Sequence, residues 1–192
     1  TVEVPLNPRQ YPDRQRPIFF ASLLENIRSM PGVESAAAIS QLPLRNRYNN
    51  IDIYPAGPMP TNPADISTGN QRVVLPGYFQ AMGIPLIAGR DIAESDTATS
   101  EPVIVVNETL ARTVFPGQDP IGRRLTTTQA EERKGQPVRW QTVVGVVATA
   151  RYREIDNPRF ERFRRPAALA IALVVFCGNV SFPLAVLAGV IK

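Results

Sequence analysis

The clearest local unit of the sequence is residues 102–116, PVIVVNETLARTVFP. Its first half, Val103 to Val106, is a continuous apolar run, which is typical of a strand buried on both faces. Asn107 is a good helix N-cap, and Glu108 in the first turn interacts favourably with the helix dipole. The helix is predicted to run to about Phe115, where a proline and a glycine end it. A strand that leads directly into a helix indicates a fold that mixes both kinds of element.

The first forty residues predict strand, helix and strand. Residues 1–4 alternate in hydrophobicity like a strand. A helix follows, with Pro17 in its first turn and a stop at residues 30–32. Its apolar face is formed by Phe20, Leu23, Leu24 and Ile27. Small apolar side chains at residues 33–40 then predict the second strand.

Between these two units the chain is rich in proline and asparagine. Residues 43–63 are predicted to be mostly loop, with a short strand at 51–54. Further strands are expected at 72–75, 84–88, 123–128 and 142–147, a turn or short helix at 76–82, and a polar surface tip at 130–139. Trp140 and Tyr152 flank the last of these strands and are interpreted as core aromatics.

The charge distribution excludes a nucleic-acid-binding face. The net charge is +4, but residues 1–150 hold 14 basic and 14 acidic side chains. The whole excess lies in residues 151–192, with seven basic and three acidic side chains. The high isoelectric point therefore describes the tail of the chain, and no nucleic-acid partner is expected.

The composition also excludes most catalytic chemistry. Histidine is absent and Cys177 is the single cysteine, so histidine-dependent nucleophiles, imidazole zinc sites and disulfides within the chain cannot form. No glycine-rich phosphate loop is present. Asp91, Glu94 and Asp96 could bind calcium or supply an acid and a base. Helix capping by the Asp91 and Glu94 pair, with solvation, is the simpler interpretation, and it predicts a brief helical turn.

The last residues differ from all that precede them. Residues 156–165 form a basic linker, and residues 166–192 are almost entirely apolar. This length suffices for a helix that crosses or re-enters a membrane, and a helical, membrane-embedded segment is predicted. The alternative is a buried pair of helices that completes a soluble core. Cys177 lies inside this apolar sequence, where a thiol stays protonated and inert.

Six phrases of the sequence, in order, resemble a known family. They are residues 31–38 (PGVESAAA), 76–86 (PGYFQAMGIPL), 88–91 (AGRD), 103–112 (VIVVNETLAR), 115–122 (FPGQDPIG) and 143–147 (VVGVV). Together they are similar to the extracytoplasmic, or periplasmic, core domain of MacB-type permeases of ABC transporters, which are FtsX-like proteins of bacteria. The resemblance covers residues 1–155.

The resemblance implies an α+β domain of two lobes, one built from strand-helix-strand units and the other inserted between them. It also implies that this domain, incomplete here at its C-terminal end, stands outside the cytoplasmic (inner) membrane. Its fold-defining signature is carried by Tyr78, Phe79, Gly83, Gly89, Arg90, Asn107, Pro120 and Gly122. No residue carries over as catalytic, cofactor-binding or metal-binding.

In such a permease ATP is bound by a separate cytoplasmic ABC ATPase subunit, which is the expected partner. Membrane lipid and a second permease copy or an envelope protein are the other expected partners. The resemblance implies a domain that transmits the ATPase cycle to the outside without being an enzyme. Six arginines before the apolar tail, between Arg151 and Arg165, instead favour a cytoplasmic location by the positive-inside tendency. The six-phrase resemblance outweighs that one cluster.

Two other functions remain open from the residues. One is a stand-alone soluble binding module whose apolar tail is part of its own core. The other, less favoured, is a hydrolase that uses the carboxylates of Asp91 to Asp96.

Overall fold

The structure, a computed structural model, covers most of the chain up to Thr149 and two stretches of the tail. The residues it describes are 2–4, 6–7, 9, 11–12, 15–40, 50–58, 60, 62, 65–127, 138–149, 173–177 and 186–190. Within them helices and strands are mixed, as the sequence predicts. In chain order the elements are β1 (Val2–Val4), α1 (Arg16–Arg28), β2 (Ala36–Ile39), β3 (Asn50–Pro55), β4 (Ser67–Val73), α2 (Tyr78–Ala81), β5 (Leu86–Gly89), β6 (Val103–Asn107), α3 (Glu108–Val114), β7 (Arg124–Thr126), β8 (Gln141–Val147), β9 (Leu173–Cys177) and β10 (Val186–Val190).

A three-stranded parallel sheet carries helix α1. Its strand order is β1, β9, β2. The two strands of the first strand-helix-strand unit, β1 and β2, are therefore not neighbours, because β9 lies between them. The apolar face of α1 presents Phe20, Leu24 and Ile27 to the sheet. These side chains pack against one face of β2 and Leu75, which completes the first buried cluster. Pro17 lies in the first turn of α1, where its missing N–H costs no hydrogen bond.

The other strands form a seven-stranded sheet that curls until it closes. Its order is β5, β8, β6, β10, β4, β3, β7, and β7 pairs with β8 as well as with β3. The pairings therefore link β3, β4, β10, β6, β8 and β7 into a ring. Strand β5 lies outside the ring, next to β7 along the same edge of β8. Closure pairs the second edge of β7 with β8.

The inside of this ring is an apolar core. Pro55 lies opposite Leu125, and Leu125 lies opposite Gln141, so alternate residues of three successive strands share one face. A single buried cluster joins residues on this face from β3, β6, β7 and β8. Strands on opposite sides of a ring meet only at its inner face, so this cluster lies inside the ring. Helix α3 contributes to the same cluster. Its members are Ile53, Ile104, Val106, Leu110, Ala111, Phe115, Leu125, Val143 and Val146.

A second cluster joins the outside of the ring to the three-stranded sheet. Val103, Val105 and Val147 face outward from the ring and meet Ala37 and Ile39 of β2. Helix α2 fills the space beside them. All four residues of β2 are buried because its two faces pack on different clusters. The molecule is thus built as helix α1, a parallel sheet and a closed ring.

Two local expectations are wrong. Strand β4 begins at Ser67 and not near Arg72, because the polar and glycine-containing segment that precedes Arg72 also pairs with β3 and β10. Residues 91–101 form turns and no helix, so the spacing of Asp91 and Glu94 does not act as a capping box.

The helical tail expected from the sequence is not confirmed. Its described residues are two strands, and each lies inside a sheet: β9 between β1 and β2, and β10 between β4 and β6. The remainder of residues 166–192 and the linker 156–165 lie outside the described residues. In the described part of the chain, no helix has both the length and the apolar character needed to span a membrane.

Candidate functional site

The structure brings part of the predicted signature together where the end of β5 pairs antiparallel with β8, at Gly89 opposite Gly145. We call this close contact of the two backbones the crossing. The amide of Arg90 donates to the carbonyl of Val144 at 2.8 Å. Gly89 adopts a φ of +71°, and a Cβ there would lie 2.2 Å from that same carbonyl oxygen. A Cβ at Gly145 would lie 2.1 Å from the carbonyl oxygen of Arg90. Both positions therefore require glycine, because each backbone approaches the other more closely than a side chain allows.

The turn that contains Pro120 and Gly122 lies against the same part of β8. The amide of Gly122 donates to Val143 O at 2.8 Å, and the Val143 amide donates to Arg123 O at 2.8 Å. The Cδ1 atom of Ile121 would be 2.8 Å from a Cβ on Gly89. Three segments of the chain are thus fixed on one another by main-chain contacts.

The side chain of Arg90, the residue that follows β5, forms an ion pair with Asp96. Its Nη1 and Nη2 atoms donate to the two carboxylate oxygens at 2.7 and 2.9 Å. The Ala93 amide donates to Asp96 Oδ2 at 2.8 Å. The Asp96 side chain is only 7% exposed, whereas that of Arg90 is 48% exposed. Asp96 is therefore not the solvated carboxylate expected from the sequence. It closes the loop that follows β5.

The ion pair between Arg90 and Asp96 shifts the pKa of both groups. The hydrogen bonds from Arg90 hold the pKa of Asp96 below its usual value, against the opposing effect of burial. The same contact raises the pKa of Arg90. Asp91 behaves in the opposite way to Asp96, since burial raises its pKa although the Ile92 amide donates to its Oδ1 atom at 2.6 Å.

We expect the free energy of unfolding of the Asp96→Asn variant to fall less than that of the wild type when the pH is lowered from 7 to 3. The folded-state pKa of Asp96 is depressed, so the charged carboxylate stabilises the folded state. This stabilisation is complete above the ordinary carboxyl pKa of about 3.9, and it is lost as the pH falls through the lower, folded-state pKa. Hydrogen bonds to a charged group are worth about 1.5–3 kcal/mol, so the variant should lose about that much at pH 7. Urea unfolding at pH 7 and pH 3 measures both values.

Asp91→Asn is the matched control for this prediction, because its pKa shift has the opposite sign. A group with a raised folded-state pKa favours the folded state as the pH falls, so its removal should steepen the acid loss. Equal acid dependence in wild type, Asp96→Asn and Asp91→Asn would contradict the assigned roles.

Asn107 lies at the start of α3, away from the crossing. Its Oδ1 atom accepts a hydrogen bond from the Leu110 amide at 2.8 Å, and the residue is buried. The sequence predicts this N-cap, and the structure confirms it. We expect Asn107→Ala to lower the free energy of unfolding by about 1 kcal/mol and Asn107→Ser to lower it much less, because serine also caps. Equal losses in thermal unfolding of the two variants would contradict the capping role.

Tyr78 and Phe79 lie in the cluster between the ring and β2. Their side chains are 0% and 2% exposed, and the rings meet edge to face with centroids 5.5 Å apart. Gly83, with a φ of +60°, turns the chain after α2, and its amide donates to Gln80 O at 3.0 Å. These signature residues fix α2 against the cluster that joins the ring to β2.

The carboxylates suggested for catalysis are not arranged for it. Both oxygens of Asp96 are occupied by N–H donors, and Glu94 is exposed. Within the described ranges no three acidic or cysteine side chains are grouped so that they could hold a metal ion. The hydrogen bonds that Arg90 and Ala93 donate to Asp96 stabilise the loop that follows β5.

Sequence reasoning missed two residues that matter here. Gly145 is an isolated glycine inside a predicted strand, a pattern that indicates a close approach of backbones. Arg28 joins the end of α1 to two other segments, since it donates twice to Ala36 O, at 3.0 and 2.8 Å, and once to Pro76 O at 3.0 Å.

Trp140, which is predicted to be a core aromatic, is half-buried. Tyr152 and the arginines from Arg151 to Arg165 lie outside the described residues.

Comparison with known families decides the assignment of the chain. The family model described as MacB-like periplasmic core domain matches residues 4–163. The chain belongs to this family. The match spans α1, the contact of β5 with β8 and every residue of the predicted signature, and it ends before β9 and β10. No curated protein matches the chain.

Solved structures similar to this MacB-like periplasmic core domain come from several bacteria. The periplasmic region of MacB from Actinobacillus actinomycetemcomitans is 18% identical, with a TM-score of 0.44 over 67% of this chain and 50% of that one. A domain of a protein assigned as a permease from Porphyromonas gingivalis is 20% identical, with a TM-score of 0.43 over 66% and 48%. The extracellular domain of the noncanonic ABC-type transporter YknZ from Gram-positive bacteria is 14% identical, with a TM-score of 0.40 over 66% and 56%. The chain thus spans about half the length of these structures.

Proposed function

We propose that this chain is the extracytoplasmic domain of an ABC transporter permease and that it couples a partner ATPase to work outside the cytoplasmic membrane. The observation that carries the proposal is the family match over residues 4–163. The absence of histidine supports a role without catalysis of its own, because the residue most often used for proton transfer is missing. ATP is bound by the separate cytoplasmic subunit.

A coupling domain must move as one body, and the main chain supplies such a connection. Strand β4 leaves the ring and continues beside β2. The Ser40 amide donates to Val73 O at 2.8 Å, and the Leu75 amide donates to Ala38 O at 3.1 Å. The Val73 amide donates to Ser40 Oγ at 3.0 Å. Force applied to the ring therefore reaches the parallel sheet through hydrogen bonds of one continuous segment, and Arg28 adds a tie to α1.

The proposed location is the cytoplasmic membrane of a bacterium, with residues 1–155 on the outer side. Lipid, a second permease copy and an envelope protein are the other proposed partners. The polar loops suit such contacts, because binding residues concentrate on loops that a rigid scaffold positions.

The test uses the permease together with its ATPase. The polypeptide is purified from membranes, and we expect an ABC ATPase to be retained. Spin labels at Asn26→Cys and Gln118→Cys, both exposed positions, are read in a Cys177→Ser background with ADP and with trapped ATP. The distance between the two labels in one domain should stay constant. The distance from the Gln118 label to labelled lipid headgroups should change. An ATPase variant that cannot hydrolyse ATP is the control, and no change relative to the membrane would contradict coupling.

A second candidate function is a stand-alone soluble binding module whose tail belongs to its own core. The specific observation that favours it is the pairing of β9 and β10 within the two sheets. Detergent-free solubility of the whole chain, with the tail protected from protease, would support this candidate. Recovery of the chain only in the membrane fraction would exclude it.

A further inference from the structure

Strand β10 closes the ring in a gap between β4 and β6. It pairs antiparallel with β4 over five residues, from Val186 opposite Val73 to Val190 opposite Gly69. It pairs parallel with β6 over three, from Val186 opposite Ile104 to Ala188 opposite Val106. No pairing joins β4 directly to β6 among the described strands. Without an inserted strand, β4 and β6 would border an open groove, and the main-chain donors and acceptors on their facing edges would lose the pairing that β10 provides.

The surroundings of this groove select the kind of strand that it accepts. All five residues of β6 are buried. Ile104 and Val106 belong to the cluster inside the ring, whereas Val103 and Val105 belong to the cluster outside it. Strand β6 is therefore covered on both faces, whereas β4 on the other side of the groove is mostly half-buried. A strand that shares the cover of β6 needs a continuous apolar run rather than an alternating pattern. Residues 186–190, VLAGV, have that composition.

The groove and its occupant come from different parts of the chain. Strands β4 and β6 lie within residues 4–163, which match the family model, whereas β10 lies beyond them. We propose that the groove between β4 and β6 is a strand-acceptor site for an extended segment that is apolar on both faces. Residues 186–190 are its ligand in the same chain, and this part of the tail is withdrawn from the lipid bilayer.

This proposal does not depend on the coupling function. It shares the pairing of β10 with the second candidate function and competes with a membrane-embedded tail. A bilayer-crossing helix needs roughly 20 apolar residues with their backbone bonds satisfied inside the helix. The acceptor site needs five extended residues whose backbone bonds go to β4 and β6. The same residues cannot satisfy both arrangements at once, so their backbone partners decide between them.

Disulfide trapping in the full chain tests the register directly. With Cys177→Ser as background, two matched pairs are made: Gln71→Cys with Ala188→Cys, and Arg72→Cys with Leu187→Cys. Each pair lies directly opposite in the register. Opposite residues of antiparallel strands have Cα atoms about 4.5–5.5 Å apart, within the range that a disulfide bridges. The mismatched control, Gln71→Cys with Leu187→Cys, places the two side chains on opposite faces.

The expected result is rapid disulfide formation within single chains for at least one matched pair, at least tenfold faster than for the mismatched pair. The yield should not change when vesicles of phosphatidylethanolamine and phosphatidylglycerol are present. Disulfides only between two copies would show that the occupant comes from another chain and would overturn the assignment in cis. Equal rates for all pairs, or a loss of trapping on vesicles, would overturn the acceptor site.

Discussion

Replacing Gly89 by alanine is expected to lower the free energy of unfolding by about 2–5 kcal/mol. The left-handed conformation of this residue, with a φ of +71°, costs an L-residue roughly 1–2 kcal/mol. A Cβ atom placed 2.2 Å from the carbonyl oxygen of Val144 adds overpacking of about 1–3 kcal/mol, because backbone on both sides must move. Urea unfolding followed by circular dichroism measures the change.

Gly122→Ala is the matched control for Gly89→Ala. Gly122 has a nearly identical φ of +77°, but no atom lies within 4 Å of the Cβ that alanine would add. Only the conformational cost of about 1–2 kcal/mol should therefore remain. Equal losses in the two variants would contradict the close approach of β5 to β8 as the reason for glycine at position 89.

Phe79→Ala is expected to lower the free energy of unfolding by about 3–5 kcal/mol. The side chain is 2% exposed and packs on Tyr78 within the cluster that joins the ring to β2. Removing a buried aromatic ring loses its transfer free energy and leaves a cavity. Differential scanning calorimetry on the purified chain measures the loss through the melting temperature.

Met30→Ala is the control for Phe79→Ala. Met30 is a large apolar residue that is 54% exposed, so its truncation should change stability by less than about 0.5 kcal/mol. A melting temperature of Phe79→Ala equal to that of wild type would show that α2 does not hold the ring against β2.

Local signals in the sequence predict many of the elements. The run Val103 to Val106 and the cap at Asn107 identify β6 and α3, which the structure confirms with small shifts at the ends. The apolar spacing from Phe20 to Ile27 identifies α1 in the same way. These predictions succeed because hydrophobic period and capping chemistry act within a few residues of one another.

Long-range pairing is what the sequence does not reveal. The polar segment from Ser67 to Gln71 has little strand propensity, yet it is held by β3 on one side and β10 on the other. Tertiary context overrides propensity here. The ring closes through the short pairings of β7 with β3 and with β8, and nothing local to Arg124 to Thr126 indicates them.

The tail shows a different difficulty. Apolar runs such as residues 173–177 suit a buried strand, a buried helix or a lipid-facing helix, and composition alone does not separate these. The deciding property is the environment that the rest of the chain supplies. Each described tail strand lies between two other strands, whose main-chain groups pair with an extended segment.

Part of the candidate site could be predicted from the sequence. The family phrases identify Gly89, Arg90 and Gly122, and the structure brings these three to one crossing on β8. Asp96 is predicted to be solvated, because it lies in a short acidic stretch, and the sequence does not indicate its contact with Arg90. Its bidentate contact depends on the loop geometry that follows β5, which no local pattern encodes.

The location of the domain outside the cytoplasmic membrane is the central claim, and labelling in intact bacteria tests it most directly. A Gln118→Cys variant in a Cys177→Ser background places one cysteine on the exposed turn after α3. A membrane-impermeant maleimide should label it in intact cells as fully as in permeabilised cells, while Cys177→Ser alone stays unlabelled. Labelling only after permeabilisation would place the ring and its crossing in the cytoplasm and contradict the account.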